Sequence, residues 1–286
     1  MGPILVTGGS GQLGTSLQRH AARFGVELVA PDLDVLDLTD PASTKAVLES
    51  RDWAMVINGA AHTAVDKAES EPELAHAVNA TAPEQIARHT AERGIRMLHV
   101  STDYVFSGDK LGWYEEDDPV GPLGVYGASK EAGERAVREH NPDHVILRTA
   151  WVVSPFGANF VKTMLRVGPE RGSLRVVDDQ RGSPTSALDI AETLLTIATK
   201  GGPAGTYHFV NGGEASWYDL ARFVFERAGL DVAVEAITTA DYPTPAKRPA
   251  NSRLSTTKIA ADYGIAPRLW QDAVGEVVDE LTGGKQ

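Results

Sequence analysis

The stretch "ILVTGGSGQLG" at the start of the chain sets the tightest limit on its fold. It places Gly8, Gly9, Gly11 and Gly14 directly after a short apolar run and at the head of a helix-patterned segment. Glycine permits the tight turn, and its missing side chain lets a pyrophosphate approach the backbone. The helix that opens at Gln12 then offers unpaired N–H groups and a positive dipole end to phosphate. A glycine pattern alone is a weak signal. With a strand before it and a helix after it, the pattern predicts a dinucleotide-binding βαβ unit. The next apolar run leads into "VAPDLD", which puts Asp32 where a carboxylate takes adenosine ribose hydroxyls. No Arg or Lys stands beside Asp32 to neutralise a 2′-phosphate, so this rule favours NADH over NADPH.

The rest of the first half repeats the alternation. Candidate strands are Ile4–Thr7, Glu27–Ala30, Ala54–Asn58, Arg96–Ser101 and Val145–Thr149. Candidate helices lie at Gln12–Phe24, Pro41–Glu49, Glu73–Asn79 continuing through Pro83–Arg93, and Tyr126–His140. Near-continuous apolar strands separated by helices predict an α/β fold, a Rossmann-type doubly wound parallel sheet covered on both faces. After Trp151 the loops lengthen and Gly and Pro gather. Residues 1–151 are therefore expected to form the dinucleotide-binding domain. Helix Ala187–Lys200 and strand Thr206–Val210, within 187–212, are expected to return to it. Residues 152–186 and 213–286 are expected to build a smaller C-terminal α+β lobe for substrate. The proline-rich run 236–255 lacks periodicity, and loops of that length are usually functional or linkers.

Composition excludes several classes of function. The formal charge is −12 and no Lys/Arg cluster stands out, so a nucleic-acid partner is not expected. No apolar run approaches the roughly 18 residues of a membrane span. The start "MGPILVTGG" lacks the basic region of a signal peptide. Cysteine is absent, which removes disulfide and thiolate chemistry and fits the cytoplasm. The eight histidines show no metal-ligand spacing, so no catalytic metal is expected.

Polar motifs fall where the predicted strands end, and in open α/β sheets ligands sit beyond those carboxyl ends. "NGAAHTAVDKAE" (58–69) follows the third strand, "STDYVFSG" (101–108) the fourth, and "RTAWVV" (148–153) ends the fifth. Tyr126 opens the helix between the last two and is the only tyrosine with a lysine, Lys130, four places on. That pair alone suits a solvated helix face equally well; convergence on one rim with the glycine loop favours chemistry. Reduction of a carbonyl needs a proton donor at oxygen, and a lysine cation one turn along is expected to favour the phenolate of Tyr126. A drop of about 3 pH units would correspond to roughly 4 kcal/mol. Thr102 or Ser101 is placed to hold the same oxygen. His62 is expected to line the cofactor pocket rather than act as a base. Trp151 suits a core position and an apolar ligand wall about equally.

These residues together resemble the extended short-chain dehydrogenase/reductases and, within them, the dTDP-4-dehydrorhamnose reductases. The similarity runs nearly end to end, through "AAHTAVDKAESEP", "VNAT", "STDYVFSG", "VYGASKEAGE", "RTAWV", "NFVKTML", "DDQRGSPT", "WYDLA" and "YPTPAKRPANSRLST". It implies reduction of the 4-keto group of dTDP-4-dehydro-6-deoxy-L-mannose to dTDP-L-rhamnose, with NADPH or NADH. By position, Tyr126 would be the proton donor, Lys130 would tune it and bind nicotinamide ribose, and Thr102 would assist. Gly8, Gly11, Gln12, Leu13, Gly14, Asp32, Asp37, Leu38, Ala61, His62 and Thr63, with Tyr126 and Lys130, would line the cofactor site. Thr102, Asp103, Trp151, Asn159, Arg248 and Arg253 would face the nucleotide-sugar, the two arginines meeting its diphosphate.

The resemblance also implies limits. Some relatives dimerise through Mg2+ held by glutamates, but Ser16 and Leu188 stand at two of those positions and only Glu280 keeps a carboxylate. One carboxylate per chain is a poor Mg2+ site, so a monomer or a dimer without a metal bridge is expected. Related dehydratases carry Asp-Glu after the threonine, whereas Thr102 is followed here by Asp103 and Tyr104. A dehydratase or epimerase of the same superfamily, or a non-catalytic dinucleotide-binding subunit, are the alternatives.

Overall fold

In the computed structural model, which describes residues 1–284, the expected alternation closes into one parallel sheet. Along the chain run β1 (Ile4–Thr7), α1 (Gln12–Phe24), β2 (Leu28–Val29), α2 (Pro41–Glu49), β3 (Met55–Asn58), α3 (Val65–Ala68), α4 (Pro72–His76), α5 (Ala82–Glu92), β4 (Arg96–Thr102), α6 (Val125–His140) and β5 (His144–Thr149). They are followed by β6 (Val152–Val153), α7 (Phe160–Arg171), β7 (Ser173–Val177), β8 (Arg181–Gly182), β9 (Thr185–Ser186), α8 (Ala187–Lys200) and β10 (Gly205–His208). β11 (Ala215–Ser216), α9 (Trp217–Ala228), β12 (Ala233–Ile237), α10 (Thr257–Tyr263) and α11 (Trp270–Thr282) complete the order. The six-stranded sheet runs β10-β5-β4-β3-β1-β2, with every neighbouring pair parallel.

Strands β1 and β3 are buried along their whole length, which is why they read as unbroken apolar runs. One core lies under α1 and α8 and includes Leu17, Ile190, Leu194 and Tyr207. The other lies under α2, α5 and α6 and includes Val47, Ile86 and Val137. β10 adds to the sheet beside β5, in the register Gly205 to Val145.

Two elements depart from expectation. β2 is shorter than the run Glu27–Ala30. The helix read as continuous from 73 to 93 contains a π turn at Ala77–Thr81. Pro83 sits just after it, without the N–H that would bond the carbonyl four residues back, and the wider turn accommodates that loss.

The second lobe packs α7, α9 and α11 around the parallel pair β7–β12, with Phe225, Trp270 and Val274 in its core. The aperiodic run after β12 is a strap laced to its surroundings, not a free loop. Asn251 N–H bonds Gly108 O at 3.1 Å, Ser252 N–H bonds Arg181 O at 2.7 Å, and Tyr114 N–H bonds Arg253 O at 2.8 Å.

Candidate active site

The site is built at the carboxyl ends of β1, β3, β4 and β5. At the glycine loop, a Cβ on Gly14 would fall 2.2 Å from Gly8 O, so close packing of α1 on the loop requires glycine there. Gly11 differs. It is exposed, its φ of −74° suits any residue, and a Cβ would meet only Gly8 O at 3.3 Å. A Cβ at position 11 is thus far less obstructed than one at position 14.

Gln12, at the head of α1, accepts from Ser154 Oγ at 3.0 Å and from Asn159 Nδ2 at 2.9 Å. Asn159 also caps α7 through its Oδ1 and donates to Ser154 O at 2.8 Å. Its amide is committed within the protein, joining the head of α1 to the start of α7. Leu13 is half-buried against the core of the first lobe.

The third strand's loop is held from the π turn. Asn79 accepts His62 N–H at 2.8 Å, and its amide donates to His62 O at 3.2 Å and to Ser129 Oγ at 3.0 Å. One side chain thereby ties the Ala61–Thr63 loop to α6. His62 Nε2 lies 3.4 Å from Glu71, and its Nδ1 is buried with no partner among the described residues. Asp32 is exposed beyond β2. Asp37 closes its own turn by accepting Thr39 N–H at 2.8 Å and Thr39 Oγ1 at 2.7 Å, bonds that hold its carboxyl below the usual range. Leu38 packs in the core with Val47 and Leu48. The Asp37 and Leu38 side chains thus have partners within the fold.

Of the residues expected to be catalytic, Tyr126 and Lys130 are both buried on α6. Thr102, the last residue of β4, donates to Asp103 Oδ1 at 2.9 Å and accepts Tyr104 N–H at 3.2 Å. Tyr104 meets the Tyr126 ring edge-on, with centroids 5.4 Å apart. Burial pushes the Tyr126 phenol up to about 12; the Thr102 side chain opposes the shift and the Asp103 charge adds to it. The expected lowering of the phenol by Lys130 is therefore corrected. The ammonium is bonded to Val100 O at 2.7 Å, and burial pulls it down to about 8, with Glu134 opposing. Desolvation dominates both groups, and the Lys130 charge is not among the causes acting on the phenol.

Asp103 is buried, its Oδ2 lacks a partner among the described residues, and burial raises it to about 6. Trp151 has a φ of 50°, the only positive value on a non-glycine among the described residues. It stacks on Trp217 with centroids 3.7 Å apart. Trp217 lines a groove of about 1020 Å³ together with Phe160, Met164, Gln180, Asp66 and Arg248. Trp151 thus backs an apolar wall, and its strained backbone is the kind found at functional sites. Of the two expected arginines only Arg248 lines the groove. Arg253 is held by Asn251 Oδ1 at 2.8 Å and Glu214 at 2.6 Å, so its charge is already met.

The model of the RmlD substrate binding domain matches residues 1–282. The dTDP-4-dehydrorhamnose reductase of Shigella flexneri is 43% identical over 97% of each chain. This chain belongs to the dTDP-4-dehydrorhamnose reductase family. The reductase of Clostridium acetobutylicum superposes with a TM-score of 0.93 at 38% identity, over 98% of this chain and 99% of that one. The Bacillus anthracis reductase, solved in complex with NADP, superposes with a TM-score of 0.93 at 34% identity, over 98% and 100%.

For a member of this reductase family, the chain departs at the positions compared with magnesium ligands. Ser16 is buried and bonds Gln12 O at 2.7 Å, Leu188 is buried, and Glu280 pairs with Arg19 at 2.7 Å. This set does not fit a divalent cation. The sequence reading also missed Asp66, Glu69 and Trp217. The first two carried a signal, since "VDKAE" lies at a strand end. Trp217 lies far from every strand-end motif, and its one signal was its place in the stretch "WYDLA" that carries the resemblance.

Proposed function

We infer that this chain reduces the 4-keto group of dTDP-4-dehydro-6-deoxy-L-mannose, giving dTDP-L-rhamnose, with a nicotinamide dinucleotide as co-substrate. The observation that carries this reading is the buried cluster of Tyr126, Lys130 and Thr102 at the end of β4. The cradle at Gly11 fits a pyrophosphate, with Gly8, Gln12 and the Ala61–Thr63 loop beside it. When bound, the reduced nicotinamide supplies the hydride.

The chain's own residues supply the rest. Tyr126 stays protonated at neutral pH and gives its phenolic proton to the keto oxygen. Lys130, one turn on, provides counter-charge for the phenolate left behind. Thr102 holds the carbonyl oxygen at the phenol by turning its single O–H proton from Asp103 Oδ1 to the substrate, while Tyr104 N–H keeps the hydroxyl oxygen in place. Arg248 meets the diphosphate in the groove, and the Trp151–Trp217 stack excludes water beside it.

The cofactor is NADPH or NADH. The Bacillus anthracis relative binds NADP, whereas the exposed Asp32 carboxylate suits an unphosphorylated ribose. No helix among the described residues is long and apolar enough to cross a membrane, and we place the reaction in the cytoplasm. The test is incubation with the keto-sugar nucleotide and each reduced cofactor, following nicotinamide absorbance. Cofactor oxidation with formation of dTDP-L-rhamnose is expected. Binding without oxidation would point to a non-catalytic subunit.

A further inference from the structure

We propose that the short helix α3 and the residue that ends it form a bracket setting two working side chains at once: Asp66 is a positioning residue for Arg248, and Glu69 is a positioning residue for Tyr126. The proposal rests on the function inferred above. Asp66 Oδ2 takes Arg248 Nη2 at 2.7 Å, and its Oδ1 takes Ala246 N–H at 3.2 Å. Both partners belong to the strap of the second lobe, so one carboxylate of the first lobe pins the strap where it crosses the groove. Arg248 Nη1 is buried and has no partner among the described residues. A guanidinium tied at one nitrogen and bare at another is arranged to receive an anion. Without Asp66, the long side chain would regain the rotamer freedom that binding must then remove.

Three residues on, Glu69 Oε1 accepts Val125 N–H at 2.8 Å, at the first residue of α6. Gly124, the residue before α6, offers no side-chain cap of its own, and a Cβ there would overlap Glu69 Oε1. The cap is therefore supplied from another loop, and glycine leaves room for it. A carboxylate on the first N–H of a helix fixes where the helix starts and complements its dipole. Tyr126 follows Val125 directly, so the same contact fixes the phenol against Thr102.

Wild-type turnover is measured first; its absence would overturn the functional reading and this proposal with it. With turnover present, the variants decide the proposal alone. Asp66→Asn is expected to raise the KM for the keto-sugar nucleotide about tenfold, leaving kcat within about twofold and cofactor Kd unchanged. In an Arg248→Met background the same change should add nothing. An equal KM rise in that background, or none in the wild type, overturns the role of Asp66. Glu69→Ala is expected to lower kcat about tenfold at unchanged KM and cofactor Kd, while Glu69→Gln, which keeps an acceptor oxygen, recovers most of kcat. Equal losses in the two Glu69 variants, or a parallel loss of cofactor binding, overturn the role of Glu69.

Discussion

Lys130 donates its ammonium proton to the carbonyl oxygen of Val100, 2.7 Å away, while the phenol one turn earlier on the same helix is pushed up to about 12. The lysine is thus anchored to the strand that carries Thr102, and the tyrosine remains a loaded proton donor at neutral pH. Replacing Tyr126 by Phe removes the donor but keeps the ring against Tyr104. Turnover should fall by roughly 10²–10⁴ while cofactor affinity, read by fluorescence titration, stays unchanged. Normal turnover in this variant would refute the assignment.

The alkaline limb of the pH profile should belong to Lys130. Its ammonium is drawn down to about 8, so its charge is present below that pH and lost above it. We expect kcat/KM to decline as pH rises through about 8. A profile flat well beyond that point would show that the charge of Lys130 does not assist the reaction.

Asp103 makes a prediction of opposite sense for stability. Its folded pKa is raised to about 6 from 3.8, so the folded state holds the proton more tightly. The stabilisation is fully present below the unfolded value and is lost as pH rises through about 6. Above that, the ionised carboxylate costs about 3 kcal/mol. Asp103→Asn should therefore raise Tm at pH 7 by several degrees, with a smaller gain at pH 5, while weakening catalysis. An equal change at both pH values would contradict burial as the cause.

The two glycines of the loop should respond differently to the same substitution. Gly14→Ala places a methyl 2.2 Å from Gly8 O and should destabilise by roughly 3 kcal/mol. Gly11→Ala meets a tight but single 3.3 Å contact, so Tm should fall much less than for Gly14→Ala while cofactor affinity drops. Circular dichroism melts with cofactor titration separate the two effects.

Glu280 is engaged by Arg19, and the other two compared positions carry no carboxylate. Elution on gel filtration should accordingly be the same with and without a chelator. A dimer that dissociates on chelation would show that other groups hold a bridging metal.

The local pattern carried much of this protein. Strand–helix alternation, the glycine spacing and the ends of α1, α2 and α8 follow from short-range rules of periodicity and packing on one sheet. The Tyr126–Lys130 pairing was also legible, because four residues make one helical turn. Other features needed contacts between segments far apart in sequence. Asn159 and Arg253 have side chains that suit a ligand, but Gln12 and Glu214 take them up. Glu69 reaches Val125 across 56 positions, and Asp66 reaches Arg248 across 182. The direction of the Tyr126 shift belongs here as well, since burial sums over every element packed around the phenol. Sequence determined which chemical groups the chain could bring and on which elements; the tertiary structure alone decided which are desolvated, which are already paired and which remain to meet a ligand.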